Sequence, residues 1–202
     1  MEFANAKKGI RLLYIAAIFD LLSVILAIVA RGLGATATAV GAGSGLVLVL
    51  VGLAFGIMAF IQNLRGLIAS GKDEAYFKYA LYTVTVGIIF AILSVFIPGE
   101  TFAMIAQIID GVLDILTIVF VCLGISKIFT VKGDEVMAKK GTTTSTIFII
   151  AFACAKIIEV VMSAGNVVGT TIGIILAVAA VVLSIVAYIR LFMYLKKASE
   201  VL

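Results

Sequence analysis

The chain has 202 residues, 64% of them apolar and 13% charged, with a formal net charge of +4 and one proline. Soluble domains run at roughly 45–50% apolar and about 25% charged, so a water-soluble globule is excluded, as are a disordered or collagen-like chain. The only cysteines, Cys122 and Cys154, sit apart in apolar stretches and exclude a disulfide-stapled fold; with a mean hydropathy of +1.31, the composition is that of a multi-span helical membrane protein.

A bilayer core of roughly 30 Å takes about 20 helical residues to cross, and six apolar stretches reach that length. The first, near 10–30, follows Lys7, Lys8 and Arg11 and carries Asp20 in its middle. Its apolar run exceeds the usual core of a signal peptide, so it is read as a retained span. From Arg31 to Gly45 runs a tract of small residues that suits either a flexible loop or a helical extension at the interface. The second span, near 46–68, is uncharged until Arg65 and contains Gly52-x-x-x-Gly56. Such spacing makes a groove for close helix packing, within the chain, between copies or with a partner subunit. The third span, near 76–97, ends at Pro98. Asp110 and Asp114 lie four residues apart in the fourth, near 102–126, and Lys156 and Glu159 three apart in the fifth, near 144–164. Each pair therefore shares a helix face. The sixth, near 170–194, is uncharged until Arg190. Continuous apolar runs, in place of alternation over about 10 residues, exclude a β-barrel.

Thirteen of the 15 Lys and Arg residues fall on one side of these spans; Arg31 lies opposite and Lys156 inside the fifth. Short loops keep Lys and Arg in the cytoplasm. The expectation is a multi-pass protein of the cell (inner) membrane with both termini cytoplasmic. The asymmetry also accounts for a pI of about 9.1 without any nucleic-acid partner. Recruitment of anionic lipid by the same basic loops is the alternative to simple topological retention.

The spans echo one another. Ile18-Phe19-Asp20-Leu21-Leu22-Ser23-Val24 matches Ile89-Phe90-Ala91-Ile92-Leu93-Ser94-Val95 at four positions, and Ala6-Lys7-Lys8-Gly9 recurs as Ala138-Lys139-Lys140-Gly141. Gly71-Lys72-Asp73-Glu74 is echoed by Lys132-Gly133-Asp134-Glu135. The reading is an all-α, six-helix membrane bundle forming a single domain, built from three αα-hairpins near 1–70, 72–131 and 134–202. Two spans per unit give a parallel repeat. Threefold symmetry would bring Asp20, Ala91 and Lys156 to one depth, and Ser23, Ser94 and Glu159 one turn further on.

Five charges, Asp20, Asp110, Asp114, Lys156 and Glu159, lie well inside spans. Each costs roughly 2.5–3.5 kcal/mol at the centre of a lone helix, so each must face protein, water or an opposite charge. One arrangement pairs Lys156 with Glu159 along their own helix and leaves the aspartates hydrogen-bonded internally, to donors such as Thr117, Gln107 or Tyr14, or beside a wet vestibule. The other sets Asp20 against Lys156 across a repeat interface, with Asp110, Asp114 and Glu159 forming a site for a monovalent cation or small polar solute.

No histidine is present, which removes the commonest general base and metal ligand. Asp110-Gly111 lacks the preceding Asp and following Ala-Arg of CDP-alcohol phosphotransferases, having Gln107 where the Asp is required. The Pro-x-[Asp/Glu]-x-x-[Lys/Arg] signature of mitochondrial carriers, which also use three two-span repeats, is missing. The chain is accordingly expected to be no enzyme and to need no cofactor or metal. It is expected to bind or move a small solute or cation between its hairpins. The competing reading is a non-catalytic scaffold subunit of a larger membrane complex.

Overall fold

The computed structural model describes residues 3–34, 39–97, 99–163 and 167–202, with side chains described for 3–30, 45–97, 99, 102, 105, 106, 108–154 and 179–202. Six helices follow in order: α1 (Ala4–Gly34), α2 (Ala39–Ser70), α3 (Ala75–Phe96), α4 (Glu100–Lys132), α5 (Glu135–Ser163) and α6 (Val167–Val201). The shortest, α3, has 22 residues and is about 33 Å long at 1.5 Å per residue, enough to cross a bilayer core. Both helices flanking the 31–45 tract extend into it, α1 to Gly34 and α2 from Ala39.

Within the described residues, five helices are long and apolar enough to cross: Ala4–Ala30, Gly45–Ser70, Ala75–Phe96, Ile108–Lys132 and Ala179–Val201. The protein is a polytopic membrane bundle. The described part of α5 falls short of that apolarity because Lys139, Lys140 and the run Thr142-Thr143-Thr144-Ser145-Thr146 occupy its early turns. Those hydroxyls are all satisfied locally. Thr142, Thr143 and Thr144 donate to carbonyls three or four residues back, as do Ser145 and Thr146, a pattern that hides polar groups within the helix itself.

The connections at the basic end explain why consecutive helices reverse. Gly133 ends α4 with φ of 80°, a left-handed conformation that favours glycine. The Asp134 N–H then donates to Phe129 O at 2.9 Å, and the Asp134 carboxylate accepts the Met137 N–H at 2.9 Å to cap α5. The matching Asp73, between α2 and α3, behaves differently. Its carboxylate reaches the start of α1, accepting from the Ala6 N–H at 2.7 Å and Asn5 Nδ2 at 2.9 Å. One acid caps its own helix; the other fastens the second hairpin to the first.

Among the described residues, substantial helix contacts run between chain neighbours and from α6 back to α1, so the six helices close into a ring. The α1–α2 contact is the most extensive and the α2–α3 contact the thinnest. The core occupies the basic end of this ring. Ile10 and Leu13 of α1, Leu67 of α2, Phe77 of α3, Ile125 and Phe129 of α4, Met137 of α5 and Leu195 of α6 belong to one buried cluster. Glycines permit the close approach there. A Cβ on Gly66 would lie 2.9 Å from Gly9 O, and one on Gly124 2.8 Å from the Phe77 ring. Outside that cluster the buried hydrophobic residues among those described are chiefly alanines, such as Ala30, Ala59, Ala151 and Ala187, while Val95 and Phe96 are exposed.

Candidate functional site

Asp20, Asp110 and Asp114 lie outside the buried cluster of the basic end, and all three residues are exposed. Asp20 lies on α1, beside the stack of Phe19 on Phe55 of α2, whose ring centroids are 5.7 Å apart. The next turn holds Ser23, which donates to Gly52 O on α2 at 2.8 Å. Those two contacts fix the α1 segment that bears the carboxylate. On α4, Asp110 faces α3, its Oδ1 lying 3.7 Å from where a Cβ on Gly87 would stand. Gly111 meets α5 through the Phe152 ring, 3.5 Å from its own missing Cβ.

Asp114 lies within electrostatic reach of Asp110, one turn away, and of Asp20 on α1. Helices α1 and α4 are not neighbours in the ring. The Tyr188 hydroxyl of α6 is within reach of both Asp20 and Asp114, and its ring is held edge-on against Phe148 of α5 at 5.3 Å and 82°. Asp20 of α1, Asp114 of α4 and Tyr188 of α6 thus lie within electrostatic reach of one another, and Phe148 of α5 braces the phenol. Among the described residues no cationic side chain acts on Asp20 or Asp114.

The side chains of Lys156 and Glu159 lie outside the described residues, so the expected Asp20–Lys156 pairing does too, as does Gln107 as a donor. Of the two serines aligned by the repeat, Ser23 bonds to α2 and Ser94 donates to Ala91 O of its own helix. Thr117 is engaged away from the acids: its Oγ1 is 2.7 Å from Thr83 Oγ1 of α3 and 2.8 Å from Leu113 O. Tyr14, another donor considered from the sequence, packs its ring on Phe192 at 4.8 Å. Gly52 and Gly56 face α1, with Ser23 Oγ 3.3 Å from a Cβ placed on Gly56.

Sequence reasoning missed Tyr188. A tyrosine two residues before Arg190 reads as the polar end of a span, and only the crossing of α6 past α1 turns it toward Asp20. It also missed Gln62, whose Oε1 is buried without a hydrogen-bond partner among the described residues. Within those residues, no group of three or more Asp, Glu, His or Cys is close enough to hold a metal ion directly. The carboxylates share a space without forming a tight ligand set. Such an arrangement suits a hydrated cation or a small cationic or polar solute, held by field and by single hydrogen bonds. Comparison of the chain with protein families, curated proteins and solved structures finds no match in any of the three.

Proposed function

We propose that this integral membrane protein binds, and moves across the bilayer, a small cation or polar solute that enters the open half of the helix ring. Asp20, Asp110 and Asp114 supply the attraction and Tyr188 a hydrogen bond, with Lys156 and Glu159 completing the site from α5 and α5 itself crossing the membrane as the sixth span. What supports this reading is the electrostatic reach between Asp20 of α1 and Asp114 of α4, exposed acids within apolar spans of non-consecutive helices. Carboxylates at that depth are costly unless water or a cation attends them. The role is binding and translocation, without bond-making chemistry.

The test uses the purified full chain and its Asp110→Asn/Asp114→Asn variant, comparing thermal unfolding against concentrations of sodium, potassium and small organic cations. Ligand that binds the folded state raises its stability as RT ln(1 + [L]/Kd). The wild type is expected to gain stability with one cation class and the variant to respond to none. Identical curves for both proteins in every cation would remove the site. Uptake by proteoliposomes then separates transport from binding, and binding without uptake would favour the scaffold-subunit reading.

A further inference from the structure

We propose that the groove between the start of α5 and the end of α6 binds the phosphate headgroup of an anionic phospholipid. The groove encloses about 520 Å³ and is lined by Lys139 and Lys140 of α5 and Arg190 and Lys197 of α6, with no carboxylate in its wall. No ion pair engages these four cations among the described residues. A second groove at the same end, between α1 and α6, includes Glu200 beside Lys7, Lys8 and Arg11 and is partly neutralised.

Independent of the charge, Tyr194 lines the α5–α6 groove, is only 4% exposed, and its hydroxyl has no hydrogen-bond partner among the described residues. The hydroxyl is turned toward Gly141 of α5, close to the Cys122 carbonyl of α4, so Tyr194 forms part of the groove's rigid floor. The Tyr194 ring is held by close backbone approach. A Cβ on Gly141 would fall 2.9 Å from Tyr194 Cζ and 2.9 Å from Cys122 O, so only glycine leaves room. The floor of the groove is therefore fixed before any ligand arrives.

The shape favours lipid over free phosphate. Arg190 and Lys197 are seven residues apart, about 10 Å along the helix axis, which is the scale of a glycerophosphate headgroup. Val136 and Met193 on the groove's wall are exposed and apolar, which suits the beginning of an acyl chain. The groove also lies where the apolar part of α6 gives way to its basic end, at the depth of the membrane surface. Basic pockets between spans at that level are suited to anionic headgroups.

The experiment measures binding of phosphatidylglycerol, phosphatidylcholine and inorganic phosphate to the detergent-purified full chain by native mass spectrometry and thermal shift. Phosphatidylglycerol is expected to bind roughly tenfold more tightly than phosphatidylcholine. A Lys139→Gln/Lys140→Gln/Arg190→Gln variant should lose that preference. A Lys72→Gln/Lys78→Gln/Lys132→Gln control, with the same charge removed at the same end outside the groove, should keep it. Should the triple variant fail to fold, Arg190→Gln, at an exposed position, carries the comparison. Equal weakening in groove and control variants would reduce the effect to diffuse surface charge and overturn the proposal. Equal binding of both lipids, or displacement of phosphatidylglycerol by millimolar inorganic phosphate, would overturn it as well.

Discussion

The two ends of the helix ring are built from different residues. At the basic end, Phe77, Ile125, Ile128 and Phe129 are fully buried among all six helices. Outside that cluster the buried hydrophobic side chains among the described residues are mainly alanines, and Phe96 is left 75% exposed. Lipid solvates outward-facing Leu, Val and Phe as well as protein does, so association of helices relies on close fit and polar contacts rather than on escape from water. Large interlocking side chains supply that fit at the basic end. Elsewhere the described contacts rely on small residues, as where Gly52 and Gly56 face α1. Among the described residues the large buried side chains thus gather at one end, while Asp20, Asp110 and Asp114 lie outside that cluster and stay exposed.

The largest test of this division compares two phenylalanines. Phe77→Ala would leave a cavity against Gly124 and is expected to cost about 3–5 kcal/mol. Phe96→Ala should change stability by less than about 0.5 kcal/mol, as surface changes usually do. Unfolding in detergent by heat or dodecyl sulfate reads both. Equal losses would mean that the open half is packed in solution.

Next in size is the same substitution made at two glycines. A Cβ on Gly9 would sit 2.5 Å from Gly66 O and 2.7 Å from Ser70 N, so the α1 and α2 backbones must part. Overpacking of that kind costs about 1–3 kcal/mol. A Cβ on Gly87 meets only ordinary contacts, Asp110 Oδ1 at 3.7 Å and Leu113 Cδ1 at 3.8 Å. Since alanine is the better helix former by about 0.5–1 kcal/mol, Gly87→Ala should be neutral or stabilising. A shared sign would break the comparison.

Much of this division was legible in the sequence, and the rest shows where sequence stops. Helix number and approximate limits follow from apolar run length, because a chain in lipid must satisfy its backbone within each span. The basic loops marked one end for the same kind of reason. What the sequence left open depends on which helix faces which. Gly71-Lys72-Asp73-Glu74 and Lys132-Gly133-Asp134-Glu135 look alike, yet Asp134 caps α5 while Asp73 crosses to α1. Ser23 and Ser94 match in the aligned spans and bond to different partners. Asp20 and Asp114 are 94 positions apart in sequence; individual cost identified both, but only ring closure through α6 and α1 explains their mutual reach.

Asp73→Ala should have a smaller effect, localised at a joint. Its carboxylate takes the place of an N-cap for α1 from another hairpin, and loss of a cap costs about 0.5–2 kcal/mol. Asp73→Asn keeps an acceptor and loses only the charge near the helix N-terminus, worth about 0.3–1 kcal/mol. Hydrogen exchange of the first turn of α1 should quicken in the order wild type, Asp73→Asn, Asp73→Ala, with α5 unaffected. Faster exchange in α5 as well would show that the two capping acids are coupled.

The smallest effect distinguishes the ends most finely. Ser23→Ala removes the 2.8 Å bond to Gly52 O, and interhelical bonds of this kind in membranes average about 0.6 kcal/mol. In the open half the obstacle to a side chain on Gly56 is the Ser23 hydroxyl itself, at 3.3 Å. Gly56→Ala should therefore be better tolerated in a Ser23→Ala background than alone, a favourable coupling in a double-mutant cycle. At the packed end the parallel cycle, Gly9→Ala with Ser70→Ala, should recover little. Removing the Ser70 hydroxyl leaves Gly66 O and Ser70 N in the way, and both belong to backbone that a side-chain truncation cannot move. Side-chain obstacles yield and backbone obstacles do not, so the pair of cycles measures directly which end of the ring is set by its main chain.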